Sequence, residues 1–96
     1  MNVDKSRDIL TCLGIDFGLK KVGISLGQTI TYKARPLSIL KNDRAFMENI
    51  YRIIENWQPD VIIIGDPQTP NNSILSKELE KFSILLESKY GSKIKI

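Results

Sequence analysis

Leu10-Thr11-Cys12-Leu13-Gly14-Ile15-Asp16-Phe17-Gly18-Leu19-Lys20-Lys21-Val22-Gly23-Ile24-Ser25-Leu26 is the stretch on which the fold turns. Its first half, Leu10 to Phe17, is a short and largely apolar run closed by Gly18, the pattern of a central strand buried on both faces. Val22 to Leu26 reads as a second strand, near enough in sequence to return as the antiparallel partner of the first. One carboxylate, Asp16, stands at the end of the apolar run.

Beyond this hairpin, Gly27-Gln28 marks a turn, and Ile30–Ala34 with Pro36–Leu40 favours extended chain that Pro36 confines to a sheet edge. From Asp43 to Gln58 the apolar residues Phe46, Ile50, Ile53, Ile54 and Trp57 form one helical stripe, Trp57 being expected in the core with the rest. Asn42 or Asp43 can cap its start, and Pro59 ends it. Val61-Ile62-Ile63-Ile64-Gly65 reads as a second fully buried strand, reached by a helical crossover and so parallel to the first. A polar loop, Asp66 to Asn72, leads to a second helix capped by Ser73 or Asn72, with Leu75, Leu79, Phe82 and Leu86 as its buried stripe and Gly91 at its end. Lys93–Ile96 has the alternation of a fifth strand cut short. The order β-β-β-α-β-α-β predicts an α/β domain over residues 1–96, a mixed sheet with helices packed on it, as in the front portion of a ribonuclease H-like fold.

Composition narrows the function. The 96 residues are 42% hydrophobic and 26% charged, the balance of a globular domain. The first residues carry no signal-peptide pattern, and nothing later reads as a membrane span. Cys12, the single cysteine, cannot form an internal disulfide and is expected as a buried thiol, which suits a reducing cytoplasm. A net charge of +3 is compatible with nucleic acid without being diagnostic of it. The absence of histidine removes Ser-His-Asp and Cys-His catalysis, leaving carboxylates to carry metal or acid-base chemistry.

Asp16 is the first candidate. A carboxylate on a buried apolar strand needs a metal, a donor or solvent at the strand end, and the flanking Gly14 and Gly18 leave room for a ligand. The plainer alternative is an aspartate capping the hairpin turn. Asp66 follows directly on Gly65 and so emerges beside Asp16; two carboxylates at adjacent strand ends suit Mg²⁺ or Mn²⁺ activating water against a phosphodiester. Aspartate before proline is as readily a turn former, and both readings of Asp66 stand open. Lys20 and Lys21 in the hairpin turn are candidate phosphate contacts, Lys33 and Arg35 further candidates of the same kind, and solvated surface charge is the alternative for all four.

Gly14 to Ser25 closely resembles the opening motif of the YqgF/RuvX family, the Holliday junction resolvases also described as pre-16S ribosomal RNA nucleases. Pro36-Leu37, the helix ending in Gln58-Pro59, and Ile62 to Pro67 fall where that family has its proline-leucine strand, first helix and the end of its fourth strand, so the resemblance extends over nearly the whole chain. It implies hydrolysis of structured nucleic acid, either pre-16S rRNA processing or resolution of branched DNA, by carboxylate-bound Mg²⁺ or Mn²⁺ with Asp16 as principal ligand; the reading of the strand ends, not the resemblance, adds Asp66 as the second. The resemblance further implies nucleic acid as partner, compatibility with a homodimer, no membrane, and a cytoplasmic location.

Two departures matter. The family usually has an uncharged residue at the place of Asp66, and its members continue past the fifth strand with further acidic residues implicated in the metal site, whereas this sequence stops at Ile96. The chain alone is therefore expected to be weakly active or inactive. Two rival readings remain: an ATP-binding lobe of the sugar-kinase and actin type, which opens on a similar Asp-x-Gly hairpin but needs a second lobe, and a non-catalytic relative that binds nucleic acid or a protein partner.

Overall fold

A computed structural model describes residues 10–28, 33–65, 73–94 and 96. The elements in chain order are β1 (Thr11–Asp16), β2 (Lys21–Gln28), β3 (Lys33–Lys41), α1 (Phe46–Trp57), β4 (Val61–Ile64) and α2 (Ile74–Tyr90). The strands form one mixed sheet in the order β3-β2-β1-β4, with β2 antiparallel to both neighbours and β4 parallel to β1. The hairpin, the edge strand and the parallel return strand are thus where the sequence reading puts them.

Pro36 explains why β3 is an edge. It has no N–H to give to a ladder, and it lies where the β2–β3 register slips, Ile24 opposing Ser38 and Ser25 opposing Pro36 with Leu37 left over. The β1–β2 turn is fixed from outside by Asn42, whose side-chain amide donates to the Gly18 carbonyl (2.7 Å) and whose N–H donates to the Lys20 carbonyl (2.8 Å). Asn42 therefore clamps the hairpin instead of capping α1. Asp43 takes part at the helix start, its carboxylate accepting from the Ala45 N–H (3.0 Å) and its carbonyl from Phe46 (3.1 Å). Gln58, left-handed at φ 46°, turns the chain into Pro59 as expected.

Both helices lie on one face of the sheet. Leu13, Ile15, Val22, Ile24, Leu26 and Ile62 point from the strands into a core completed by Phe46, Ile50 and Ile54 of α1 and Phe82, Leu86 and Tyr90 of α2. Phe17 closes one end of this core against Phe82 (ring centroids 5.0 Å) and Phe46 (6.0 Å). At the other end the Tyr90 hydroxyl donates to Glu55 (2.8 Å), and burial first, then this bond, raises the phenol's pKa well above its ordinary value. Ser73 caps α2 by accepting from the Ser76 N–H (3.0 Å).

Four expectations need correction. β4 is covered on one side only: Ile62 is buried while its neighbour Ile63 is 56% exposed, because a run of β-branched residues reads the same whether one face or both are covered. Cys12, on the same open face, is half-buried. Trp57 is 38% exposed, since α1 runs past the end of its core there. The fifth strand does not form among the described residues of 93–96; Lys93 and Ile94 both donate to the Tyr90 carbonyl (2.8 Å each), folding Ile94 back onto the core. Among the described residues no helix is long and apolar enough to cross a membrane.

Gly18 supplies a direct test of the hairpin. A methyl group there would lie 2.5 Å from the Lys21 carbonyl oxygen, a backbone atom that cannot swing away. Gly18→Ala is expected to cost about 1–3 kcal/mol in urea unfolding, as overpacking does. An unchanged midpoint would show that the turn has room to relax.

Candidate functional site

The strand period settles which way Asp16 faces. In β1, Leu13 and Ile15 enter the helix-covered core, so Gly14 and Asp16 must lie on the opposite, open face. Asp16 is exposed there, at the carboxyl end of the strand. This corrects the argument from a buried carboxylate: solvent reaches Asp16, and its presence carries no desolvation cost that a metal must offset.

The open face around it can be read row by row from the register. Asp16 pairs with Gly23 of β2, which pairs with Ile39 of β3; one row back, Gly14 lies between Ser25 and Ile63. Together with Pro36, Ser38 and Gly65 these residues line a shallow hollow of about 420 Å³. Its floor is glycine and serine, its walls are two exposed isoleucines, and Asp16 is the one carboxylate among its described lining residues. One row beyond Asp16, on the same face, Lys21 stands directly opposite Lys41, both exposed. Successive same-face rows are about 6.7 Å apart, so this cationic pair is close neighbour to the hollow. Like charges directly across a ladder repel, which makes the pair receptive to an anion.

The sequence candidates separate into groups on this map. Lys21 shares the face of Asp16, and Lys20, in the turn between β1 and β2, is exposed at the same end of the sheet. Arg35 pairs with Leu26 and therefore belongs to the helix-covered side, toward the far end of β1; it does not join Asp16. Lys33 opens β3 still farther off, paired with Gln28. Asp66 lies outside the described residues. Gly65, which precedes it, donates its N–H to the Ile15 carbonyl (3.0 Å), so the chain leaves β4 one residue from Asp16. Lys41 and Ser25 were missed by the sequence reading; Ser38 also lines the hollow, but its pairing with Ile24 puts its side chain on the helix-covered side. Alternation in Gly23-Ile24-Ser25-Leu26 could have flagged Ser25, whereas Lys41 opposite Lys21 is a matter of register, which no local pattern encodes.

Among the described residues no three of His, Cys, Asp and Glu come together to hold a metal ion. A divalent ion would find one carboxylate ligand here in Asp16, a partial fit to a hard cation's demand for six or more oxygens.

The chain is similar to known proteins over most of its length. A family model described as RuvX, Holliday junction resolvase, matches residues 10–96. A protein of Coxiella burnetii named "Putative pre-16S rRNA nuclease" is 35% identical over 86 residues, 85% of this chain and 61% of its own. Proteins of the same name from Hydrogenovibrio crunogenus and Shewanella oneidensis are 38% identical over 82 residues and 36% over 88, covering 81% and 88% of this chain and 61% and 62% of theirs. The chain thus spans somewhat under two thirds of the length of these relatives. Among solved structures, T. thermophilus RuvC in complex with Holliday junction substrate superposes with a TM-score of 0.65 at 13% identity, over 88% of this chain and 60% of that one. At that identity the likeness speaks for the fold alone, and it agrees with the ribonuclease H-like reading of the topology.

Because Asp16 is exposed and no described partner holds it, Asp16→Asn is expected to leave stability within about 0.5 kcal/mol of the parent, as substitutions at open surface positions do. The check is a urea unfolding curve. A larger loss would mean that the carboxylate holds the hairpin together and is structural.

Proposed function

The chain belongs to the RuvX family, Holliday junction resolvases, and from that premise we propose that it is the part of a metal-dependent nuclease that presents the first catalytic carboxylate, Asp16, to a phosphodiester of structured nucleic acid. The observation that carries the reading is the company Asp16 keeps: an exposed carboxylate over a glycine floor, with Lys21 and Lys41 on the same face one row away. The names of the relatives point the same way and favour pre-16S rRNA as substrate, with branched DNA as the substrate that the family description itself suggests.

Each part has a physical task. A phosphate backbone carries its charge on the outside, so cations bordering a shallow hollow draw it in without reading sequence. Gly23 lets it approach the sheet closely beside Asp16, whereas the space over Gly14 is taken by the Ser25 hydroxyl. Asp16 then bears negative charge at the place where a divalent cation would be shared with a phosphate. The residues that would hold such an ion are Asp16 and, following Gly65, Asp66; Mg²⁺ or Mn²⁺ would supply Lewis acidity and an activated water. Lys20 and Lys21 steer and hold phosphate, and Lys33 lies too far along the sheet to share that task. The lone Cys12 thiol suits the reducing cytoplasm, where such a substrate would be met.

A second reading, a nucleic-acid-binding relative without chemistry, is favoured by one observation: the described residues bring a single carboxylate to the hollow. Cleavage assays with Mn²⁺ on pre-16S rRNA and on branched DNA separate the two when residues 10–96 replace the matching part of a full-length relative, which supplies the length this chain does not span. A nuclease loses turnover on Asp16→Asn while keeping its affinity for nucleic acid, whereas a pure binding module shows no Asp16-dependent cleavage at all. Under either reading, replacing Lys20 and Lys21 by alanine should flatten the dependence of log K on log salt, on duplex DNA by about 0.9 for each phosphate no longer neutralised. An unchanged slope would return both lysines to ordinary surface charge.

A further inference from the structure

A second hollow lies at the opposite end of the sheet and plays no part in the reading above. It measures about 540 Å³ and is lined by Thr11, Leu26, Gln28, Arg35 and Trp57 among others. From Asp16 to Thr11 the chain runs five residues of β1, about 17 Å at strand spacing, and the side chains lie on the helix-covered side of the sheet, whereas Asp16 lies on the open one. This is a separate place on the molecule.

Its make-up is unusual for an unused surface. Phe46, Ile50 and Ile54, the same stripe of α1, are at most 3% exposed, yet Trp57 at the end of that stripe is 38% exposed. Gly27 and Ala34 are also among the lining residues, although their row of the ladder faces the open side of the sheet. Arg35 shares the hollow, exposed at the edge strand. Among the described lining residues there is no carboxylate; the nearby Asp60 is turned to the Thr11 N–H (2.9 Å). A flat aromatic surface sharing a hollow with a guanidinium, with no competing acid among the described lining residues, matches the two halves of a nucleotide: the base stacks on the ring, and the phosphate takes the forked donors. The volume falls in the range of small-ligand sites.

We propose that the Trp57–Arg35 hollow is a second nucleic-acid contact that holds one unpaired nucleotide of a single-stranded segment. It deepens the nucleic-acid reading of the Asp16 face and rests on it. The β3 edge, with Arg35 on one face and Ile39 on the other, is the border a strand would cross between the two places. Recognition by stacking is tolerant of base identity, so the hollow selects unpaired over paired nucleic acid rather than one sequence over another.

Trp57 is the only tryptophan in the chain, so its emission reports this place and no other. The full chain is titrated with unlabelled oligouridine and oligodeoxythymidine while indole emission is followed, and, separately, with the same oligomers carrying a fluorescent end label for anisotropy. We expect Trp57 emission to be quenched with the midpoint seen by anisotropy. Arg35→Gln should weaken single-strand binding roughly tenfold, in the range that removing one stacking or phosphate interaction produces, with much less effect on a fully paired duplex. Trp57→Phe, which keeps an aromatic face, should retain most of the affinity, and Trp57→Ala should not. If the oligomers bind by anisotropy while emission and the Arg35→Gln affinity are unchanged, the hollow is not a nucleotide site, although the nucleic-acid reading survives. If no nucleic acid of any kind binds, both readings fall. If uridine monophosphate quenches as strongly as the oligomer at equal concentration, the site takes free nucleotides and the strand contact is refuted.

Discussion

One-sided covering of the sheet is the constraint from which the rest follows. Leu13 and Ile15 of β1, Val22 and Ile24 of β2 and Ile62 of β4 all enter the same layer against Ile50, Ile54, Phe82 and Leu86. Because a strand alternates its side chains, this choice of core face also decides what appears on the other. Asp16 is one residue from Ile15, and so it is displayed. A slip of one residue in the β1–β2 pairing would bury the carboxylate and expose Ile15 and Leu13, with a large loss of apolar burial. Hydrophobic packing thereby fixes the position of the charged group without touching it.

Much of this was legible in the sequence, and the failures have a common cause. The hairpin, the edge strand at Pro36, α1 with its stop at Pro59, β4 and the Ser73 cap all rest on local chemistry: period, turn residues and caps. The misreadings concern what lies across space. Val61-Ile62-Ile63-Ile64 has the same letters whether one face is covered or two, and Trp57 has the right spacing for a core residue although the core ends before it. Lys93–Ile96 alternates like a strand, but hydrogen bonds to the Tyr90 carbonyl fold Lys93 and Ile94 into a turn. Asn42 has the side chain of a helix cap and spends it on the hairpin turn. At the candidate site, Asp16, Lys20 and Lys21 were visible because they sit within one motif. Lys41 was not, since it joins them only through the pairing of β2 with β3.

The cationic pair and the glycine floor belong together. Lys21 opposite Lys41 works against the β2–β3 ladder at that row, and the ladder holds there because Val22 and Leu40 follow at once, Val22 fully buried in the core and Leu40 packed against it. Stability given up at one row is compensated one residue later on the opposite face. Glycines at 14 and 23 carry an analogous weakness, for they contribute no side chain to a strand. Both features lower the local preference for the sheet, and both make the open face suited to a polyanion: one by attraction, the other by clearance at Gly23.

Topology then explains why the carboxylate sits at this end and not elsewhere on the face. β1 is flanked by an antiparallel neighbour on one side and a parallel one on the other. At its carboxyl end the chain turns aside through Phe17 to Lys20 into β2, while β4 ends at the same level and leaves beyond Gly65. The carboxyl ends of adjacent strands are the place where sheets of helix-crossover type gather their ligands. Asn42 holds the turn at this end of the sheet by two hydrogen bonds. Asp16, Lys21 and Lys41 face out together on the open side of the sheet, so the two lysines border the carboxylate on the side of β2 and β3 and hold their charge where a phosphate backbone lying along that border would meet it.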